Sequence, residues 1–178
     1  FIIATGPSSH HSLAKKIIAD GGEVHLVGRD DKNLSELASE LNSTFTTCDV
    51  LEEDFSEKIF NDLGDTPING LAYCVGSIDL KPIKMTKKSD FMQSFNLNLI
   101  SATEIIRRSS DSLKQNKGSI VLFSTVAVRR GFTNHSIVAS AKGALEGLTV
   151  SLAAEFAPNI RVNCIAPSLT KSKISNFL

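Results

Sequence analysis

The 178-residue chain is predicted to fold as an α/β protein around a doubly wound parallel sheet. Three observations carry that prediction. Six short apolar runs alternate with longer segments of helical pattern. Most of the runs lack the in–out alternation of a half-exposed strand, as expected where helices cover both sheet faces. A helical segment separates each run from the next, which is the crossover that parallel strands need.

Taken in order, FIIAT (1–5) reads as the first strand and 10–20 as the first helix. EVHLV (23–27) and the helical pattern over 31–42 form the next unit, and TFTTC (44–48) with 53–62 the third. INGLAYCV (68–75) is the fourth strand, followed by one long helix over 90–115. GSIVLFS (118–124), a helix over 136–157 and RVNCIA (161–166) complete the pattern. A parallel sheet wound in two directions has the strand order 3-2-1-4-5-6, with a crevice beyond the strand carboxyl ends between strands one and four. The chain is read as one domain over 1–178, cut at both ends. Phe1 already sits in a strand and the pattern stops after Ser168, so a last C-terminal strand is expected to be missing.

Composition narrows the function classes. Lys+Arg and Asp+Glu both number 19, so charge gives no case for nucleic acid or an anionic membrane surface. No apolar run approaches the ~20 residues needed to span a bilayer, and no basic-then-apolar leader opens the chain. Cys48, Cys74 and Cys164 fall at or near strand ends; their odd number and spacing predict buried thiols in a reducing, cytoplasmic setting and no metal.

The candidate site residues sit after the strands. The first strand runs into Thr5-Gly6-Pro7-Ser8-Ser9-His10-His11-Ser12, a turn into a helix N-terminus that favours anions. Gly28-Arg29-Asp30 follows the second strand, Cys48-Asp49-Val50 the third, and Cys74-Val75-Gly76 the fourth. Asn98 stands in the long helix, Ser124-Thr125 closes the fifth strand, and Pro167-Ser168-Leu169-Thr170-Lys171-Ser172 follows the sixth. Lys142 lies in Ala-Lys-Gly-Ala-Leu-Glu-Gly-Leu, with Val138 one turn earlier on the same helix face.

These stretches, above all 118–167, resemble the short-chain dehydrogenase/reductase family over essentially the whole chain. The resemblance implies an NAD(P)-dependent oxidoreductase acting on a carbonyl/alcohol pair. It assigns the cofactor to Thr5, Gly6, Ser8, Arg29, Asp49, Val50, Gly76, Lys142, Pro167, Thr170 and Ser172. It assigns catalysis to Asn98, Thr125 and Lys142. The family's glycine-rich loop is altered, since His10 and Ser12 occupy two glycine places. His10 reads either as a phosphate contact or as a surface residue. Gly28 stands where an acid would select NAD, and Arg29 beside it suits the 2′-phosphate of NADP; the alternative is a solvated arginine. Asp49 reads as an adenine contact, as a helix cap, or as both.

The family carries a tyrosine four residues before its lysine, and Val138 holds that place. The proton donor is therefore expected to be altered. His135, one turn earlier, has a suitable pKa, and Tyr73, the only tyrosine, is a second candidate that otherwise fills core. The alternative is a catalytically inactive, dehydrogenase-like binding or scaffold protein. Lys81, Lys84, Lys87 and Lys88 read either as a solvated face or as an anionic-substrate contact. The expected partners are a small-molecule substrate and further copies of the chain. Ala139, Ala141, Gly143, Ala144 and Gly147 make the 136–157 helix slim enough to pair across a two-fold axis, as dimer or tetramer.

Overall fold

The computed structural model describes residues 2–5 and 9–168. Its strands are β1 (Ile2–Thr5), β2 (Val24–Gly28), β3 (Thr44–Thr47), β4 (Gly70–Tyr73), β5 (Ser119–Phe123) and β6 (Arg161–Ile165). Between them run α1 (Ser9–Ala19), α2 (Asp31–Leu41), α3 (Phe55–Leu63), α4 (Lys88–Phe95), α5 (Ser101–Gln115), α6 (Ala127–Arg130) and α7 (Ser136–Phe156). The sheet order is β3-β2-β1-β4-β5-β6 and its pairings are parallel, as the sequence predicts.

Direction of travel decides which face each helix covers. From β1 to β3 the chain steps one way, and α1 and α2 cover one face. From β3 to β6 it steps the other way, and right-handed crossovers then place α3, α5 and α7 on the opposite face. The core divides accordingly. Ala14, Val24, Leu26, Leu34, Leu37 and Ala38 form the first cluster. Val27, Ile59, Leu71, Ile105, Ile120 and Leu145 belong to the second. Within β2, Val24 and Leu26 thus face one layer and Val27 the other, following the two-residue repeat of a strand.

The helices obey local rules. Asp30 caps α2 by accepting from the Asn33 N–H, and Asn42 ends it in the left-handed region at φ 48°. Ala102, Ile105, Ile106, Ser109 and Leu113 form the buried stripe of α5.

Several expectations need correction. The predicted 90–115 helix is α4 and α5 joined by a π-helical turn over Asn96–Ile100. The fourth strand is shorter than 68–75, and α6 was not foreseen. The expectation that no apolar stretch approaches membrane-spanning length does not hold for α7. The 21 residues of α7 pass by length and composition, although α7 carries Lys142 and packs on β5 and β6 as a core helix does. Among the described residues no cysteine forms a disulfide; Cys48 and Cys74 are buried and Cys164 half-buried.

One polar network crosses the second layer. His25 in β2 is fully buried, with its Nδ1 2.8 Å from Thr44 Oγ1 and its Nε2 2.9 Å from Thr46 Oγ1. Thr46 donates its only hydroxyl proton to Asp62 of α3, so it must accept from His25 Nε2–H. Nδ1 then accepts from Thr44, which fixes the neutral tautomer. Burial pulls the imidazole pKa down to about 4, against an opposing pull from Asp62. The unfolded value is 6.5, so this contribution is fully present above pH 6.5 and is lost as pH falls towards 4. It amounts to about 3 kcal/mol. Urea midpoints of the native protein and His25→Gln should differ most above pH 6.5 and converge by pH 4. A gap that is constant across that range would refute the linkage.

Candidate active site

The reversal of winding falls between β1 and β4, which pair from Ile2↔Gly70 to Thr5↔Tyr73. In a doubly wound sheet such a reversal is where a crevice is expected, beyond the carboxyl ends of the two strands. Gly76 lies on the β4 side of it. A Cβ there would stand 3.0 Å from Asn98 Oδ1 and 3.1 Å from Lys142 Nζ. An added methyl would therefore crowd both side chains, and this one position brings the two polar groups together.

Asn98 is delivered by the π-helical turn. The Ser101 N–H reaches back to Asn96 O, which leaves carbonyls of the preceding turn without their α-helical partners. The Asn98 side chain serves one of them, donating Nδ2–H to Ser94 O at 2.8 Å. Its Oδ1 is buried with no hydrogen-bond partner. The Ser101 hydroxyl lies 2.7 Å from Val50 O and 2.8 Å from Asn96 O, so the turn is tied to the segment after β3. Tyr73 anchors the same turn by donating to Leu97 O at 2.7 Å.

Lys142 arrives from α7, which packs against α4 and the π-helical turn as well as the sheet. It is 7% exposed, and its Nζ makes one long contact, 3.5 Å to Val75 O. Among the described residues no carboxylate stands within ion-pair distance of it. Burial lowers its pKa to about 8, with Cys164 and Cys74 pulling the other way. Val138, on the same face one turn earlier, is 4% exposed.

The remaining residues fall into three groups. Thr125 follows β5, and its Oγ1 accepts from the Ala127 N–H at 3.3 Å at the start of α6. Pro167 takes the Val126 N–H on its carbonyl at 3.1 Å, joining the segment after β6 to the one after β5. Arg29 and Asp49 meet at 3.4 Å beyond β2 and β3. Asp49 also accepts from the Leu51 N–H at 3.0 Å. It therefore closes a turn and does not cap the following helix, whose N-cap is Asp54. Gly6, Ser8, Thr170 and Ser172 lie outside the described residues, as do the side chains of Thr5 and His10. Ser12 is described and exposed on α1, so its side chain does not wedge between helix and strand.

Neither alternative donor is brought to Lys142. Tyr73 is fully buried and its phenol is pushed above the ordinary range by burial, which corrects its reading as a donor candidate and leaves it as core. His135 starts α7 with Nδ1–H donating to Thr133 O at 2.8 Å and its ring edge-on to Phe132. Seven residues separate it from Lys142, about 10 Å along the helix axis.

Two braces escaped the sequence reading. The buried Ser124 hydroxyl donates to Glu146 Oε1 at 2.7 Å, and Arg129 holds the other oxygen at 3.0 Å. The signal was present, since Glu146 lies four residues after Lys142. Lys81 pairs with Asp79 at 3.1 Å and Asp90 at 3.0 Å, while its N–H reaches Asn134 O. It is a clasp between two loops, unlike the exposed Lys84, Lys87 and Lys88. Among the described residues no three His, Cys, Asp or Glu side chains form a metal-binding group.

A doubly wound sheet with a buried lysine and asparagine at its switch point defines an architectural class, the α/β proteins of dinucleotide-binding type. The family model for enoyl-(acyl carrier protein) reductase matches residues 10–178. The chain is 31% identical over 173 residues to L-xylulose reductase of Bos taurus, covering 94% of this chain and 70% of that one. A tropinone reductase homolog of Arabidopsis thaliana is 30% identical over 177 residues, covering 94% and 67%. A solved short-chain dehydrogenase/reductase family protein superposes with a TM-score of 0.90 at 25% identity, covering 98% of this chain and 76% of that one. The KRED1-Pglu enzyme shares the fold, with a TM-score of 0.92 at 22% identity over 97% of this chain and 75% of that one. The chain belongs to the short-chain dehydrogenase/reductase family.

Proposed function

We propose that this protein is an NADP-linked reductase of a carbonyl/alcohol pair whose proton donor is not a tyrosine of α7. The observation that carries the reading is the convergence of Lys142 Nζ and the unpartnered Asn98 Oδ1 on the space a Cβ of Gly76 would take. A buried cation without a carboxylate and a buried acceptor without a hydrogen bond are costly unless a ligand completes them. Hydroxyl groups of a nicotinamide ribose, which both donate and accept, fit that pair. When bound, the cofactor supplies hydride. The chain's own part is to hold the ribose at Lys142, receive the adenosine end near Asp49 and Arg29, and orient the carbonyl near Thr125.

Arg29 supports the NADP preference. Its guanidinium is largely exposed and its Asp49 contact is a long one, so it is available to a 2′-phosphate. The first carbonyl to assay is L-xylulose, the ketose in the name of the bovine relative. We place the protein in the cytoplasm, a setting the undisulfided cysteines support. We further propose a homodimer or homotetramer paired through α7, whose apolar outer face includes Val150 at 72% exposure.

The test is fluorescence titration with NADPH and NADH. NADPH is expected to bind more tightly, and Arg29→Ala to weaken it about ten-fold or more, the loss of a charge-assisted contact, with NADH nearly unchanged. Equal losses for both nucleotides would make Arg29 structural. Binding of neither would reject the enzyme reading. A second reading, an inactive binding protein, is favoured by Val138, and it predicts nucleotide binding at most and no turnover.

A further inference from the structure

We propose that Lys142 itself is the proton donor to the substrate's carbonyl oxygen, because among the described residues it is the buried cation beside Gly76 that has no carboxylate partner and only one long contact, to Val75 O. This rests on the carbonyl-reductase reading. Among the described residues, the Thr125 and Ser136 hydroxyls have no acceptor in the fold. A neutral aliphatic hydroxyl is too weak an acid to give up its proton near neutral pH, however, and the stronger candidates are engaged or distant. Ser124 gives its proton to Glu146, and Tyr73 gives its proton to Leu97 O from inside the core. His135 stands two turns away with Nδ1–H on Thr133 O. Val138 presents no proton on the face where Lys142 emerges.

The surroundings of Lys142 explain why it can give one up. An ammonium that is buried without a carboxylate partner is disfavoured against the neutral amine. The titratable groups facing it are Cys74 at the end of β4 and Cys164 in β6, and burial raises the Cys164 thiol, which keeps it neutral. Glu146, one turn further along α7, is held by Ser124 and Arg129. Asn98 offers only a neutral carbonyl oxygen from the π-helical turn. The resulting pKa of about 8 keeps the lysine mostly protonated at neutral pH while leaving it acidic enough to act.

The step balances. As hydride adds to the carbonyl carbon, the π pair of the C=O bond moves onto oxygen. That oxygen takes a proton from Lys142 Nζ, giving the alcohol and a neutral amine. The amine recovers its proton from water before the next turnover.

The test uses the chain with NADPH, L-xylulose and 4-nitrobenzaldehyde, alongside ¹³C-lysine NMR of the protein without nucleotide. The native Lys142 resonance, identified by its loss in Lys142→Arg, is expected to titrate near 8, and kcat/KM to fall with rising pH through the same region. Lys142→Arg keeps a cation and its donors but cannot release a proton in this range. It should still bind NADPH while losing reduction by ~10²-fold or more, and adding Val138→Tyr to it should restore turnover. Full activity in Lys142→Arg overturns the proposal, as does a resonance titrating near the ordinary lysine value. So does loss of activity in His135→Ala with Lys142→Arg unaffected, which would move the donor to His135. Should Lys142→Arg fail to fold, the native titration and pH profile decide. Failure of the underlying reading looks different: no NADPH binding, and no turnover even in Val138→Tyr.

Discussion

Val138→Tyr is expected to raise carbonyl reduction about a hundred-fold over the native protein. A positioned general acid contributes ~10²–10⁴-fold, and the low end applies because Lys142 already supplies a slower donor. The substitution places a phenol four residues before Lys142 on the same face, where the neighbouring ammonium lowers the phenol's pKa towards neutrality. Val138 is buried, so the added ring costs ~1–3 kcal/mol of stability. Turnover and urea midpoint should therefore be measured on the same preparation. A folded variant that binds NADPH and shows no gain would mean that Lys142, Asn98 and Thr125 do not form a working frame. The inactive binding protein would then be the better reading.

Gly118→Ala should be among the most damaging single-methyl additions to the fold. A Cβ on Gly118 would stand 2.7 Å from Asn69 O and 2.7 Å from Leu113 Cδ2. The leucine tip can turn aside, but the carbonyl cannot, because it accepts the Ser119 N–H at 3.0 Å where β5 begins. Gly118 O also accepts the Arg161 N–H at 3.1 Å, so displacement spreads to β6. The expected loss is at or above the upper end of ~1–3 kcal/mol, with Tm falling by roughly 5–10 °C. Gly64→Ala is not a suitable control, since Gly64 has φ 55°. Gly147 has nothing within 4 Å of its added Cβ inside the protomer, so Gly147→Ala should be neutral or mildly stabilising to the fold of the single chain. Equal melting of Gly118→Ala and the native protein would show that the Asn69 carbonyl can yield.

The strands, the crossovers and the lysine were legible in the sequence because each is a local pattern. Apolar runs of strand length, helical segments between them and the Ala-Lys-Gly-Ala-Leu-Glu-Gly-Leu stretch need no partner to be seen. Sheet order followed from the handedness of crossovers, which applies to any chain wound this way. The same reading took 90–115 as one uniform helix, because a π-helical turn inserts a residue without disturbing composition. It took Tyr73 as a candidate donor, because burial of a phenol depends on what packs over it.

Tertiary structure alone decided the state of the site. The long helix carries Asn98 to within reach of a Gly76 Cβ only because Val50, Ser101 and Tyr73 tie its π-helical turn to two other segments. Lys142 is a lysine in any conformation, but its lowered pKa exists only when α7 packs it against β6 and the π-helical turn with no carboxylate beside it. The sequence by itself therefore determined which residues the crevice contains. Which of them keep a proton to give was decided by desolvation and hydrogen-bond partnership, both of which depend on contacts between residues far apart in the chain.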